Sequence, residues 1–217
     1  MFFVYCLRTF KAVSFSLIFL LFFSCMGAAS QVTLASDGSG SILLEYRISS
    51  ELENLGRLDG NQSRLPVPTG RIDLERSVAR ISGLSLVSYT SLEDGHDIVH
   101  RTELAFSSPQ ALSAFFNSAS EQFKIDFPGR KIIISFFETE TMDSSFKEFA
   151  VGILQGYEFS ISFTVPGNVS AEWIDGNGTI TNHFPGNCFI LGTTVQYTAA
   201  IAELVFLESP LFLEISW

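Results

Sequence analysis

From Tyr157 to Val165 the chain alternates without a break. Tyr157, Phe159, Ile161, Phe163 and Val165 fall on one side of an extended strand, and Glu158, Ser160, Ser162 and Thr164 on the other. That is a strand with one face on a core and one in water, which antiparallel sheets allow and doubly covered parallel sheets do not. Ile42, Leu44, Tyr46 and Ile48 repeat the pattern against Glu45, Arg47 and Ser49. Further strands are predicted over 31–36, 83–91, 97–106, 131–139, 169–174, 179–184, 193–206 and 211–217. Asp37-Gly38, Asp94-Gly95, Pro128-Gly129 and Asp175-Gly176 break these runs with residues suited to tight turns, so most neighbouring strands are expected to form hairpins.

Helical spacing interrupts the strands in three places. Ser108-Pro109 is a start signal, after which Leu112, Phe115, Phe116, Ala119 and Phe123 recur every three or four residues. Ser145 and Glu148 make a capping box for a second helix over 145–156, and Leu74, Val78 and Ile81 form the inner stripe of a weaker one over 70–82. Phe-rich stripes of this kind are core before they are ligand contacts. No repeat or linker divides the chain after residue 30, and the longest irregular loop is expected from Arg57 to Gly70.

The N-terminus reads as an export signal. Arg8 and Lys11 precede an uncharged run from Ala12 to Phe23, followed by small residues at Ser24, Gly27, Ala28 and Ala29. As a helix, Ala12 to Phe23 spans roughly 18 Å against a bilayer core of about 30 Å, so it reads as a leader rather than a span. Extended to Ala29, it allows an uncleaved transmembrane anchor as the alternative. Phe22-Phe23-Ser24-Cys25 is similar to a relaxed lipobox of bacterial lipoproteins, with Ser24 fitting and the two phenylalanines departing from the usual residues. Cys25 is therefore the expected lipidation site. The alternative is ordinary cleavage after Ala29, which leaves a secreted chain. The organisation expected is a lipoprotein-type signal peptide over 1–24, a short tether over 25–30 and a single α+β domain over 31–217. Without Cys6 and with Cys25 acylated, Cys188 has no partner for an internal bridge.

Composition narrows the function classes. Hydrophobic residues make up 47% of the chain and charged residues 17%, which excludes disordered and coiled-coil proteins. The net charge of -10 leaves no basic stripe for nucleic acid, and membrane attachment must come from the N-terminal lipid or anchor. His96 and His100 lie four residues apart on a predicted strand, roughly 13 Å, too far to share an ion. They and His183 read as ordinary surface or edge residues, and Cys188 with His183 has no motif around it. Asp175-Gly-Asn-Gly178 suggests a calcium loop, but the twelfth position is Gly186, where a carboxylate is required. Glu51 with Glu53 and Glu138 with Glu140 read as solvated charges. No nucleophile elbow or phosphate loop is present. No catalytic residue, metal site or cofactor is expected, and the chain reads as a non-enzyme.

Several segments in order resemble the LppM-like domain of bacterial envelope lipoproteins. They are the signal with Cys25, Val32-Thr-Leu-Ala-Ser-Asp-Gly-Ser-Gly-Ser-Ile42, Gly83-Leu-Ser-Leu, Phe106-Ser-Ser-Pro-Gln-Ala-Leu112, Phe163-Thr-Val-Pro-Gly-Asn-Val169, the Asp175 turn and the strand closing at Trp217. The resemblance implies an α+β fold, a curved, mostly antiparallel β-sheet with two or three packed helices around an apolar interior. It also implies a membrane-anchored envelope protein with a non-catalytic domain that binds a lipid or another amphiphile. The alternative is a structural or protein-interaction lipoprotein, and an envelope hydrolase is a weaker third. The resemblance assigns no ligand-binding residue.

Overall fold

The computed structural model describes residues 27–49, 71–95, 97–118, 123–136 and 157–217. Strands β1 (Ala28–Leu34) and β2 (Gly40–Ser49) form the first hairpin, followed by helix α1 (Arg71–Ala79) and the hairpin of β3 (Leu84–Asp94) and β4 (Asp97–Phe106). Helix α2 (Pro109–Asn117) leads to β5 (Phe123–Asp126) and β6 (Lys131–Phe136). Then come β7 (Glu158–Thr164), β8 (Ser170–Asp175), β9 (Asn187–Leu191), β10 (Thr194–Ala200), α3 (Ile201–Val205) and β11 (Leu211–Ser216). The fold is α+β, as predicted. Two sheets hold the strands, one of seven in the order β3-β4-β2-β1-β7-β10-β9 and one of four in the order β5-β6-β11-β8. Every pairing is antiparallel except that of β1 with β7. The predicted helix over 145–156, the 57–70 loop and His96 lie outside the described residues.

Alternation fixes which side chains meet. Val32, Ile42, Leu104, Phe163 and Val195 lie on one face of the larger sheet and are buried, while Gln31, Thr33 and Gln196 on the opposite face are exposed. The smaller sheet closes over part of the inner face through aromatic rings. Phe136 of β6 lies 5.4 Å from Phe123, 6.0 Å from Trp173, 5.6 Å from Tyr197 and 6.5 Å from Phe159, so one side chain touches both sheets. These separations are those of tilted and edge-to-face aromatic pairs.

The helices follow their signals. Ser108 is extended, and its hydroxyl accepts from the Ala111 amide at 3.3 Å, with Pro109 in the first turn; α2 buries Ala111, Leu112 and Phe116. It stops at Asn117, short of the predicted 123. The Asn117 side chain turns back onto β5, accepting from the Ile125 amide at 2.8 Å, and Phe123 becomes the first residue of that strand. Leu74 and Val78 of α1 are buried as predicted.

Four other boundaries differ from the sequence pattern. Residues 179–184 contribute one isolated bridge, Ile174 to Ile180, and the turn before them has its positive backbone angle at Gly178 rather than Gly176. Strand β9 is not predicted by alternation, since Phe189, Ile190 and Leu191 are apolar in succession. The run over 193–206 changes from strand to α3 after Ala200, in a stretch where apolar residues fit either period. Finally, Ala28, Ala29 and Ser30, read from the sequence as tether, are already in β1, paired with Tyr46, Glu45 and Leu44.

Candidate functional site

Cys25, the predicted lipidation site, lies outside the described residues. The first strand begins three residues after it. The Gly27 carbonyl accepts from the Arg47 amide at 2.9 Å, and Ala28 and Ala29 pair with β2 on one side and with Phe159 and Ser160 of β7 on the other. The first strand is thus central from its first residue. No helix among the described residues is long and apolar enough to cross a membrane.

At the opposite end of β1, about 20 Å along the strand, a cleft of 480 Å³ opens where the ends of both sheets converge. Its walls are Leu34 at the end of β1, Pro109 at the start of α2, Phe127 before the β5–β6 turn, Pro166 after β7 and Trp217 after β11. Arg130 stands at this cleft, exposed, and its guanidinium has no ion-pair partner among the described residues. The Trp217 amide donates to the Arg130 carbonyl at 3.3 Å, which ties β11 to this turn. Asp37, also in the lining, accepts from the Ser39 hydroxyl at 2.7 Å and its amide at 3.0 Å; these bonds hold its carboxyl below the usual range and keep it charged. The cleft therefore offers apolar walls, one cation with no ion pair among the described residues and one carboxylate already engaged.

The histidines separate. His183 is exposed in the loop after β8, and its amide donates to the Thr181 hydroxyl. His100, expected at the surface or an edge, is 0% exposed. Its Nδ1 lies 2.8 Å from the Tyr89 hydroxyl, and its ring stacks on Tyr46 at 4.8 Å. The signal was in the sequence: His100 shares its parity on β4 with Thr102, Leu104 and Phe106, all of them buried. Two further polar groups of this inner face escaped sequence reasoning. Ser30 and Thr102 are buried in one row across β1, β2 and β4, with Leu44 between them, and neither hydroxyl has a partner among the described residues. The inner face is apolar where β1 ends and becomes polar toward the end where β1 begins.

Burial pushes the Cys188 thiol up from its ordinary value and burial of Tyr197 does the same to its hydroxyl, which donates to the Pro185 carbonyl at 2.9 Å. A thiol shifted in that direction is a weak nucleophile at neutral pH. The Asp175 carboxylate accepts from the Asn177 and Thr179 amides, both at 2.9 Å, so one of its oxygens is used in closing the turn.

No protein-family model matches this chain, and no curated protein does. Among solved structures it is similar to the folded domain of Mycobacterium tuberculosis LppM, determined by NMR, with a TM-score of 0.41 and 11% sequence identity over 89% of this chain and 90% of that one. Likeness at that level transfers no residue, ligand or activity.

Proposed function

We propose that this chain is an exported envelope protein, held at the membrane by acylated Cys25, whose domain binds an amphiphile and does no catalysis. The observation that carries the tether is where the fold begins. Cleavage before Cys25 leaves β1 whole, with only Met26 between the acylated residue and Gly27, a reach of less than about 8 Å. Cleavage after Ala29 removes the two residues that pair with both neighbours at the start of a central strand. A domain tethered so briefly rests against the bilayer surface, and the acyl chains supply the affinity that an acidic protein lacks for anionic lipid.

Intact mass and fractionation of the full chain in an exporting bacterial host test this part. The expected product begins at Cys25, carries acyl groups and sediments with membranes; Cys25→Ser loses the acyl mass and at least about tenfold of the membrane-bound fraction. A mature chain beginning at Ser30, or one retaining Met1, overturns it.

The amphiphile is assigned to the cleft, which joins apolar walls to a cation. Phe127, Trp217 and the two prolines suit an apolar tail, and Arg130 suits an anionic head. Octyl phosphate, titrated by calorimetry into the chain in lipid nanodiscs with empty discs as blank, is expected to bind. Arg130→Ala is expected to weaken it about tenfold, the loss of one charge-assisted contact of roughly 1.4 kcal/mol. Equal binding by both proteins, or none by either, removes the amphiphile reading and leaves an interaction lipoprotein.

A further inference from the structure

Two open sheets have four edges, and three of them are guarded. The β5 edge is met by α2: Asn117 accepts from the Ile125 amide at 2.8 Å, and the Ser113 hydroxyl donates to the Ile125 carbonyl at 2.7 Å. The β8 edge is met by the chain that follows it, with Thr181 donating to the Trp173 carbonyl at 2.8 Å. The β3 edge has α1 packed beside it, an irregular register between Leu86 and Ser88, and ends in Glu93 and Asp94. Charges, bulges and covering elements are the usual means by which sheets refuse further strands.

The β9 edge has none of these among the described residues. Its sequence, Asn187-Cys-Phe-Ile-Leu191, carries no charge and no proline, and Phe189, Ile190 and Leu191 are 55%, 47% and 68% exposed. Leu191 and Thr194 close a two-residue turn whose first residue, Gly192, has φ 63°, the position where a type II′ hairpin demands glycine. Those two closing residues exchange hydrogen bonds, so alternation turns the amides and carbonyls of Cys188 and Ile190 away from β10, toward the open side.

We infer that β9 pairs antiparallel with β9 of a second copy of this chain, across a two-fold axis at Phe189. The strand is self-complementary in that register. Cys188 of each copy exchanges hydrogen bonds with Ile190 of the other, and Phe189 meets Phe189 at a non-hydrogen-bonded position, where side chains are closest. Charge also favours a second copy. Two chains of net charge -10 repel over most of their surfaces and meet at least cost through an uncharged strip, whereas a partner of opposite charge would find nothing on β9 to recognise. Five residues make a small interface, so the pair is in exchange with monomer in dilute solution and is favoured wherever copies are concentrated.

Disulfide trapping reads this register directly. In full-length Cys188→Ser chain, Phe189→Cys places two thiols across the axis with Cα atoms about 4.5 Å apart, within disulfide reach. Gln196→Cys, one strand further in on the same face, places them about 14 Å apart. The expected result is an oxidised dimer with Phe189→Cys and none above the parent background with Gln196→Cys. Cross-linking by both or by neither overturns the pairing. Sedimentation of the unsubstituted chain in mild detergent gives an independent reading that needs no cysteine variant. A concentration-dependent dimer is expected, with Phe189→Lys raising its Kd at least tenfold while circular dichroism stays unchanged. A monomer at every concentration to 100 µM, or a dimer indifferent to Phe189→Lys, overturns the inference, as does a chain that recruits a different protein along β9 and never itself.

Discussion

Phe136→Ala is expected to lower the unfolding free energy by about 3–5 kcal/mol, the range for deleting a buried phenyl ring from a core that cannot collapse onto the space. Collapse is hindered here because the ring is in contact with two sheets. Phe123 neighbours it within its own sheet, while Phe159 and Tyr197 belong to the larger one, and Trp173 closes the remaining side. Rings held by strands of separate sheets cannot all move inward without breaking ladder hydrogen bonds. Domains of this size are stable by about 5–15 kcal/mol, so the loss is about a fifth or more of the total. Urea unfolding followed by tryptophan emission measures it. Leu92→Ala is the control, an exposed leucine whose replacement is expected to change stability by less than about 0.5 kcal/mol. Equal effects of the two substitutions would refute the ring cluster as the joint between sheets.

Gly40→Ala is expected to cost about 3 kcal/mol or more, although it adds a single methyl group. A Cβ at Gly40 would stand 1.9 Å from the Thr33 carbonyl oxygen and 2.5 Å from Cζ of Phe106. The ring of Phe106 could swing aside; the carbonyl could not, because it belongs to β1, which is hydrogen-bonded to β2 and β7. The clash therefore loosens the first hairpin where it joins the centre of the larger sheet. Gly129→Ala provides the contrast, since nothing lies within 4 Å of its Cβ position and only the positive φ of 70° opposes the change. Thermal unfolding of both is expected to show Gly40→Ala several degrees lower than Gly129→Ala. The reverse order would mean that β1 and β2 do not approach as described.

Several features were legible because they are written within a few residues of one another. Parity along β7 identified Ile161, Phe163 and Val165 as core, Ser108-Pro109 marked the start of α2, and Asp-Gly and Pro-Gly pairs located three hairpins. Less of the candidate site was legible. Its cleft is assembled from Leu34, Pro109, Phe127, Pro166 and Trp217, which no local pattern links, and the cation among them is recognisable only once Arg130 is seen to lack a carboxylate partner among the described residues. His100 was misread for a different reason. Its type suggested a surface position while its parity on β4 indicated the core, and parity decided.

What the amino-acid order determined alone is the class of this protein, alternating half-buried strands with a few amphipathic helices. Tertiary structure alone decided which strands became neighbours. β1 pairs in parallel with β7, β5 is held by the Asn117 side chain, and β9 is an edge strand, open among the described residues. The physical reason is range. Side-chain alternation and turn chemistry act over two to five residues, whereas strand order is set by which distant apolar faces can be buried together, a property of the whole chain that no window of sequence contains.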